Sequence, residues 1–273
     1  MDWALLLALF LFLVIGFIFA PLGLGGGLLF VPVLHYVVGW PIDSATIIVS
    51  LTLTLFVGLS SSFEHKKEGN FPIEIIRMSL LGAVPGAIAG SLFIIALGGG
   101  GETLDTLFKI LASLMVAWAV YKTYLKIGKT VGGGEEATEF QKEYLVIGSS
   151  VGGLLSSILA IGAGAIYVPT NRQYGGLNNR DSIGGSLGTI CVVVPIAIVT
   201  QLLFLPDSVN GRLSDVPLYW FIPSAILVTT IGARFGAIFG LRKLSSSTIE
   251  KIFFGTLVIV LLRYLVNIAE ILL

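Results

Sequence analysis

The chain has 273 residues, 55% of them hydrophobic and 12% charged, with a mean hydropathy of +0.97; a soluble domain carries about 25% charged residues. A water-soluble globular protein is thereby excluded, and 16 Lys+Arg against 16 Asp+Glu leaves no basic surplus for binding nucleic acid. One cysteine, Cys191, and two histidines supply neither an intrachain disulfide nor a structural zinc site, so neither metal nor cofactor is expected.

A hydrocarbon core about 30 Å thick takes roughly 20 apolar residues per helix. Eight regions have that character, at approximately 3–38, 44–63, 75–97, 106–126, 144–170, 182–206, 217–240 and 248–272. They predict an all-α integral membrane protein. The first region has no Lys or Arg before its apolar run and no small-x-small cleavage site after it, so it reads as a retained membrane segment.

That region is too long for one crossing and is interrupted by Pro21-Leu22-Gly23-Leu24-Gly25-Gly26-Gly27. No smooth helix runs through a proline and four glycines. The pattern predicts a helix from Trp3 to Ala20, a break, and a short helix from about Leu28 to Val38 carrying Pro32. The fifth region has the same anatomy, with a helix from Tyr144 to Ala160, a break at Gly162-Ala163-Gly164 and a short piece carrying Pro169. With these broken or re-entrant segments the chain reaches up to about ten helical segments.

The likeness is an internal repeat. Gly25 to Pro32 aligns without gaps on Gly162 to Pro169 at an offset of 137 residues, which sets His35 opposite Arg172. Downstream, Ile47-x-x-Ser50-Leu51 answers Ile183-x-x-Ser186-Leu187, Gly86-Ala87-x-x-Gly90 answers Gly232-Ala233-x-x-Gly236, and Lys109 answers Lys251. Two homologous halves follow, residues 1–127 and 144–273, joined by a flexible glycine- and glutamate-rich linker at 128–143. If each broken region makes an even number of crossings, each half crosses an odd number of times and the second half is inverted. One side then collects Lys66, Lys67, Arg77, Lys122, Lys126, Lys129, Lys142, Arg172, Arg180, Arg242 and Lys243, while the opposite loops hold only Arg212. The positive-inside rule makes the first side, with the linker, cytoplasmic and both termini external.

Non-helical backbone at membrane depth persists only where protein buries it or where it lines a polar cavity. A short helix that starts after a glycine break offers unpaired N–H groups and a positive dipole end to an anion. The expected substrate-lining set is therefore Gly25, Gly26, Gly27, Pro32, Gly162, Gly164 and Pro169, with His35 and Arg172 beyond the prolines and Asn171 beside Arg172. Ser50, Ser186 and Thr189 complete it as hydroxyl donors; a bond to a backbone carbonyl one turn back is the alternative use of each. Gly86, Gly90, Gly232 and Gly236 read as close helix packing, Arg234 as an interfacial anchor, and His65 as part of a charged loop.

The paired breaks followed by Val-Pro, Gly23 to Pro32 and Gly162 to Pro169, together with the downstream Ser-Leu and Gly-Ala-x-x-Gly matches, resemble the sulfite exporter TauE/SafE family of membrane permeases. The resemblance covers essentially the whole chain. It implies secondary transport of a small sulfur-containing anion such as sulfite, sulfoacetate or another organosulfonate, with a proton or sodium gradient as the driving force. Ala163 and Ala165 stand where the family has glycines, which bears on substrate rather than fold. A passive anion channel, or a permease for a different small organic anion, is the alternative. An enzyme is not expected: there is no Walker loop, no His-Glu-x-x-His, no intramembrane aspartate pair and no Gly-x-Ser-x-Gly elbow.

Overall fold

A computed structural model describes residues 3–127, 140–207, 209 and 219–242, with scattered positions between 251 and 266. Most of the linker, Arg212, Lys243 and most of the eighth apolar region lie outside the described residues. Every regular element described is helical: α1 Trp3–Phe19, continued by a 3-10 turn Ala20–Leu22, then α2 Gly27–Tyr36, α3 Ser44–Lys67, α4 Ile73–Ala96, α5 Glu102–Ile127, α6 Lys142–Leu159, α7 Gly164–Gln173, α8 Asn179–Leu203 and α9 Phe221–Arg242. Helices α1, α3, α4, α5, α8 and α9 are long and apolar enough to cross a membrane. The chain is a multi-pass, all-α integral membrane protein.

Local chemistry sets the boundaries. The Asp43 side chain accepts from the Thr46 N–H and starts α3, and Asn178 does the same for α8 through Asp181. Pro21 sits in the first turn of the 3-10 segment, and left-handed Gly23 ends it. The short helices α2 and α7 have 10 residues each, about 15 Å of helix, or half of the hydrocarbon core.

Packing follows a reciprocal pattern. Helix α4 packs on α6 and α8, α9 packs on α1 and α3, and α3 crosses α8. Glycines make the closest of these approaches. A Cβ on Gly86 would strike the Ser150 carbonyl and one on Gly90 the Leu154 carbonyl; one on Gly232 would strike that of Leu13 and one on Gly236 that of Phe17. Ser150 and Leu154 stand 137 residues after Leu13 and Phe17, so the two sets of contacts keep the offset of the sequence repeat. The packing role expected of these glycines is what the structure displays.

Helices α3 and α8 run in opposite directions. The connection after α3 lies on the start of α8, where a Cβ on Gly184 would strike the Asn70 carbonyl, and Gly185 sits against Pro72. At the other end Gly99 bridges Ser44, which opens α3, and Pro206, just after α8. Lys66, Lys67, Arg180 and the α6–α7 link, a hydrogen bond from Gln141 N–H to the Tyr174 carbonyl, share the first end of the bundle.

One side chain differs from expectation, and two more make contacts that the sequence did not announce. His65 belongs to the last turn of α3, not to a charged loop, and is 1% exposed. The helix runs on to Lys67 because Glu64 and His65 turn inward while Lys66 and Lys67 stay outside. Lys109 lies two turns into α5, buried, and is held by Asp105 at 2.6 Å one turn earlier, which compensates its charge. Arg234 is largely exposed, as an anchor would be, but also reaches Glu64 on α3 at 3.7 Å.

Candidate functional site

The two breaks meet near the middle of α3 and α8. Gly23, Gly25 and Gly26 have φ of 71°, 74° and 81°, and their repeat equivalents Ala160, Gly162 and Ala163 have 54°, 68° and 50°. The same left-handed path is thus taken twice, once with glycine throughout and once with two alanines. An L-residue in that region costs about 1–2 kcal/mol, so the second break is strained where the first is relaxed. Ala163→Gly should therefore raise the unfolding midpoint in detergent, with a net gain of about 0.5–1 kcal/mol after the entropy cost of glycine. A lower midpoint would contradict the left-handed assignment.

Each break is held by the long helix that follows the other break. The Ser50 hydroxyl donates to the Ala160 carbonyl at 3.3 Å, and the Ser186 hydroxyl donates to the Gly23 carbonyl at 2.9 Å. A Cβ on Gly27 would overlap the Ala160 carbonyl, and one on Gly164 the Gly23 carbonyl. Gly25 and Gly162 lie side by side against the Thr54 methyl and the Ile190 side chain. Neither α2 nor α7 has a side-chain N-cap, so both helices present a bare N-terminus at this junction.

The structure therefore brings together Gly25, Gly26, Gly27, Ser50, Gly162, Gly164 and Ser186. The serine hydroxyls do hold backbone carbonyls, but those of the opposite break rather than of their own helix. The other expected residues stand elsewhere. Thr189 bonds back to the Gly185 carbonyl at 2.9 Å. Pro32 is buried inside α2, whereas Pro169 is exposed. Asn171 is fully buried, accepting from Ser79 and donating to the Ser182 carbonyl. His35 and Arg172 are each eight residues beyond the start of their short helix, about 12 Å along its axis. His35 faces the Trp40 carbonyl at 2.8 Å near the start of α3, while Arg172 lies by the α6–α7 link at the opposite end.

Thr54, one turn after Ser50, is the residue that sequence reasoning missed. Its hydroxyl lies 3.5 Å from the Ala160 carbonyl, and its methyl touches both breaks. Its spacing four residues after Ser50, on the same face of α3, was the available signal. Among the described residues no group of His, Cys, Asp and Glu is placed to hold a metal.

The family model described as Sulfite exporter TauE/SafE matches residues 8–264. A "Probable membrane transporter protein" of Haemophilus influenzae is 29% identical over 269 residues, covering 94% of this chain and 96% of its own. No solved structure matches. With the family model spanning nearly all of a helical chain whose two glycine breaks meet near the middle of two candidate membrane spans, the protein belongs to the sulfite exporter TauE/SafE family of membrane transporters.

Proposed function

We propose that the protein is a secondary transporter of a small sulfur-containing anion, sulfite, sulfoacetate or another organosulfonate, held where the two breaks meet. The observation that carries this reading is the reciprocal grip of the breaks: two uncapped helix N-termini converge on one point, with Ser50, Thr54 and Ser186 hydroxyls beside them. Helix starts supply partial positive charge and free N–H groups to an oxyanion without a buried lysine or arginine. Discontinuous helices meeting near the midplane are a recurrent device of secondary transporters.

Residues 1–127 and 144–273 are read as inverted halves that rock against each other to give alternating access. The reading is supported by α3 and α8, equivalent in the repeat yet antiparallel, and by the swapped glycine contacts. The end bearing Lys66, Lys67, Lys142, Arg172 and Arg180 is assigned to the cytoplasm by the positive-inside rule, with both termini external. A proton or sodium ion is the coupling partner.

The test is thermal unfolding of the purified protein with sulfite, sulfoacetate, thiosulfate, sulfate or chloride, at two pH values. A ligand a hundredfold above its Kd stabilises by about 2.7 kcal/mol. Stabilisation by at least one sulfur anion but not by chloride is expected, and no shift with any of the anions would count against the assignment. In proteoliposomes, flux that neither saturates nor responds to proton or sodium gradients would make the protein a channel.

A further inference from the structure

The two halves differ in what they bury behind the breaks. In the first half Phe12, Phe19 and Phe30 are fully buried, and the rings of Phe12 and Phe30 meet edge to face at 5.5 Å. At an offset of 137 residues the second half has Ser149, Ser156 and Tyr167 in the same places. All three are as inaccessible as the phenylalanines they replace, and their hydroxyls meet no hydrogen-bond partner among the described residues.

The three groups share one surface. Ser149, Gly152 and Ser156 fall on a single face of α6 by their spacing of three and four. The Tyr167 ring lies directly on Gly152, where any Cβ would overlap it. The serines have also declined the usual alternative. Thr52, Ser113, Ser157, Thr189, Thr200 and Thr230 all donate to the carbonyl one turn back in their helices, whereas Ser149 and Ser156 do not. An unpaired buried hydroxyl costs about 1–3 kcal/mol, and three on one face call for a shared neutral partner that both donates and accepts. No positive side chain belongs to this set, which disfavours a resident anion.

We propose that Ser149, Ser156 and Tyr167 line a lane of internal water between α6 and α7, and that the equivalent space of the first half is dry. Ser149 and Ser156 are two turns apart, about 10.5 Å, and Ser156 is one turn before Ala160 at the second break. Buried water is held by two to four polar contacts. In the transport reading, on which this use of the lane rests, it hydrates the approach to the breaks from the end carrying Lys142 and Arg172. The hydration itself does not depend on that reading.

X-ray radiolytic footprinting tests it, because hydroxyl radicals formed from bound water oxidise the aromatic rings beside that water. In the full-length protein, Tyr167 should be oxidised several-fold faster than Phe12 and Phe30, although all three rings are equally buried. The double variant Ser149→Ala/Ser156→Ala should bring Tyr167 down to the phenylalanine level. Tyr167 protected as fully as Phe30 would overturn the lane. Fast oxidation unchanged in the double variant would overturn the assignment of the two serines. Neither readout requires a substrate, so failure here and failure of the anion-binding assay are separate results.

Discussion

Alanine at Gly27 or Gly164 is expected to destabilise the folded protein by about 3 kcal/mol, the upper end of the ordinary cost of overpacking. The added methyl at Gly27 would overlap the Ala160 carbonyl and stand 2.6 Å from both the Ile161 Cα and the Thr54 Oγ1. At Gly164 it would overlap the Gly23 carbonyl and stand 2.5 Å from the Leu24 Cα. Most of these obstacles are backbone atoms, which no rotamer change moves aside. The whole of one break would have to withdraw from the other, releasing the grip of Ser50 or Ser186. Thermal unfolding in detergent measures the loss, with Gly255→Ala as the control because nothing among the described residues lies within 4 Å of its Cβ position. Unchanged midpoints for both variants would mean that the two breaks do not touch.

Ser186→Ala is expected to cost about 1–3 kcal/mol, the penalty for leaving a buried acceptor unmatched. The Gly23 carbonyl is outside the α-helical ladder, and the Ser186 hydroxyl at 2.9 Å is a donor to it from a helix of the other half. Thr189→Ala, three residues on, should cost less, since that hydroxyl shares a carbonyl within its own helix. Ser50→Ala should resemble Ser186→Ala, with a smaller effect because its bond is 3.3 Å and Thr54 lies beside the same carbonyl. The double variant Ser50→Ala/Ser186→Ala should depart from additivity, because both carbonyls belong to one mutually braced backbone assembly. Equal, small effects from Ser186→Ala and Thr189→Ala would remove the serine from the bracing of the break.

Much of this arrangement is legible in the sequence because membrane helices leave few other ways to place a glycine run. The interruption at Pro21 to Gly27, its recurrence 137 residues later, and the paired Gly-x-x-x-Gly segments appear in the structure within a few residues of their expected positions. What was not legible is which half each residue serves. Ser50 and Ser186 act across the repeat, and no local pattern announces a partner more than a hundred residues away. His35 and Arg172 occupy equivalent positions in the alignment, yet lie at opposite ends of the bundle, because the antiparallel course of α3 and α8 separates what an alignment sets side by side. His65 looked like loop because it sits among Glu64, Lys66, Lys67 and Glu68; only the inward rotation of that last turn buries it. The serines and tyrosine of α6 and α7 could have been found by comparing the halves position by position, where each replaces a phenylalanine.

The swapped packing also bears on how the chain is made. Helix α1 finds its main partner in α9, more than two hundred residues downstream, while α4 finds its own in α6 and α8. As the ribosome delivers the protein to the bilayer, α1 lacks its main partner until α9 has been made. The interior can therefore lock from the centre outward, with α4 and α6 docking before α1 and α9 do. Nascent chains stalled before Phe221 would leave Gly16 and its flanking ridge facing lipid, open to capture by insertion chaperones or to recognition as unfinished.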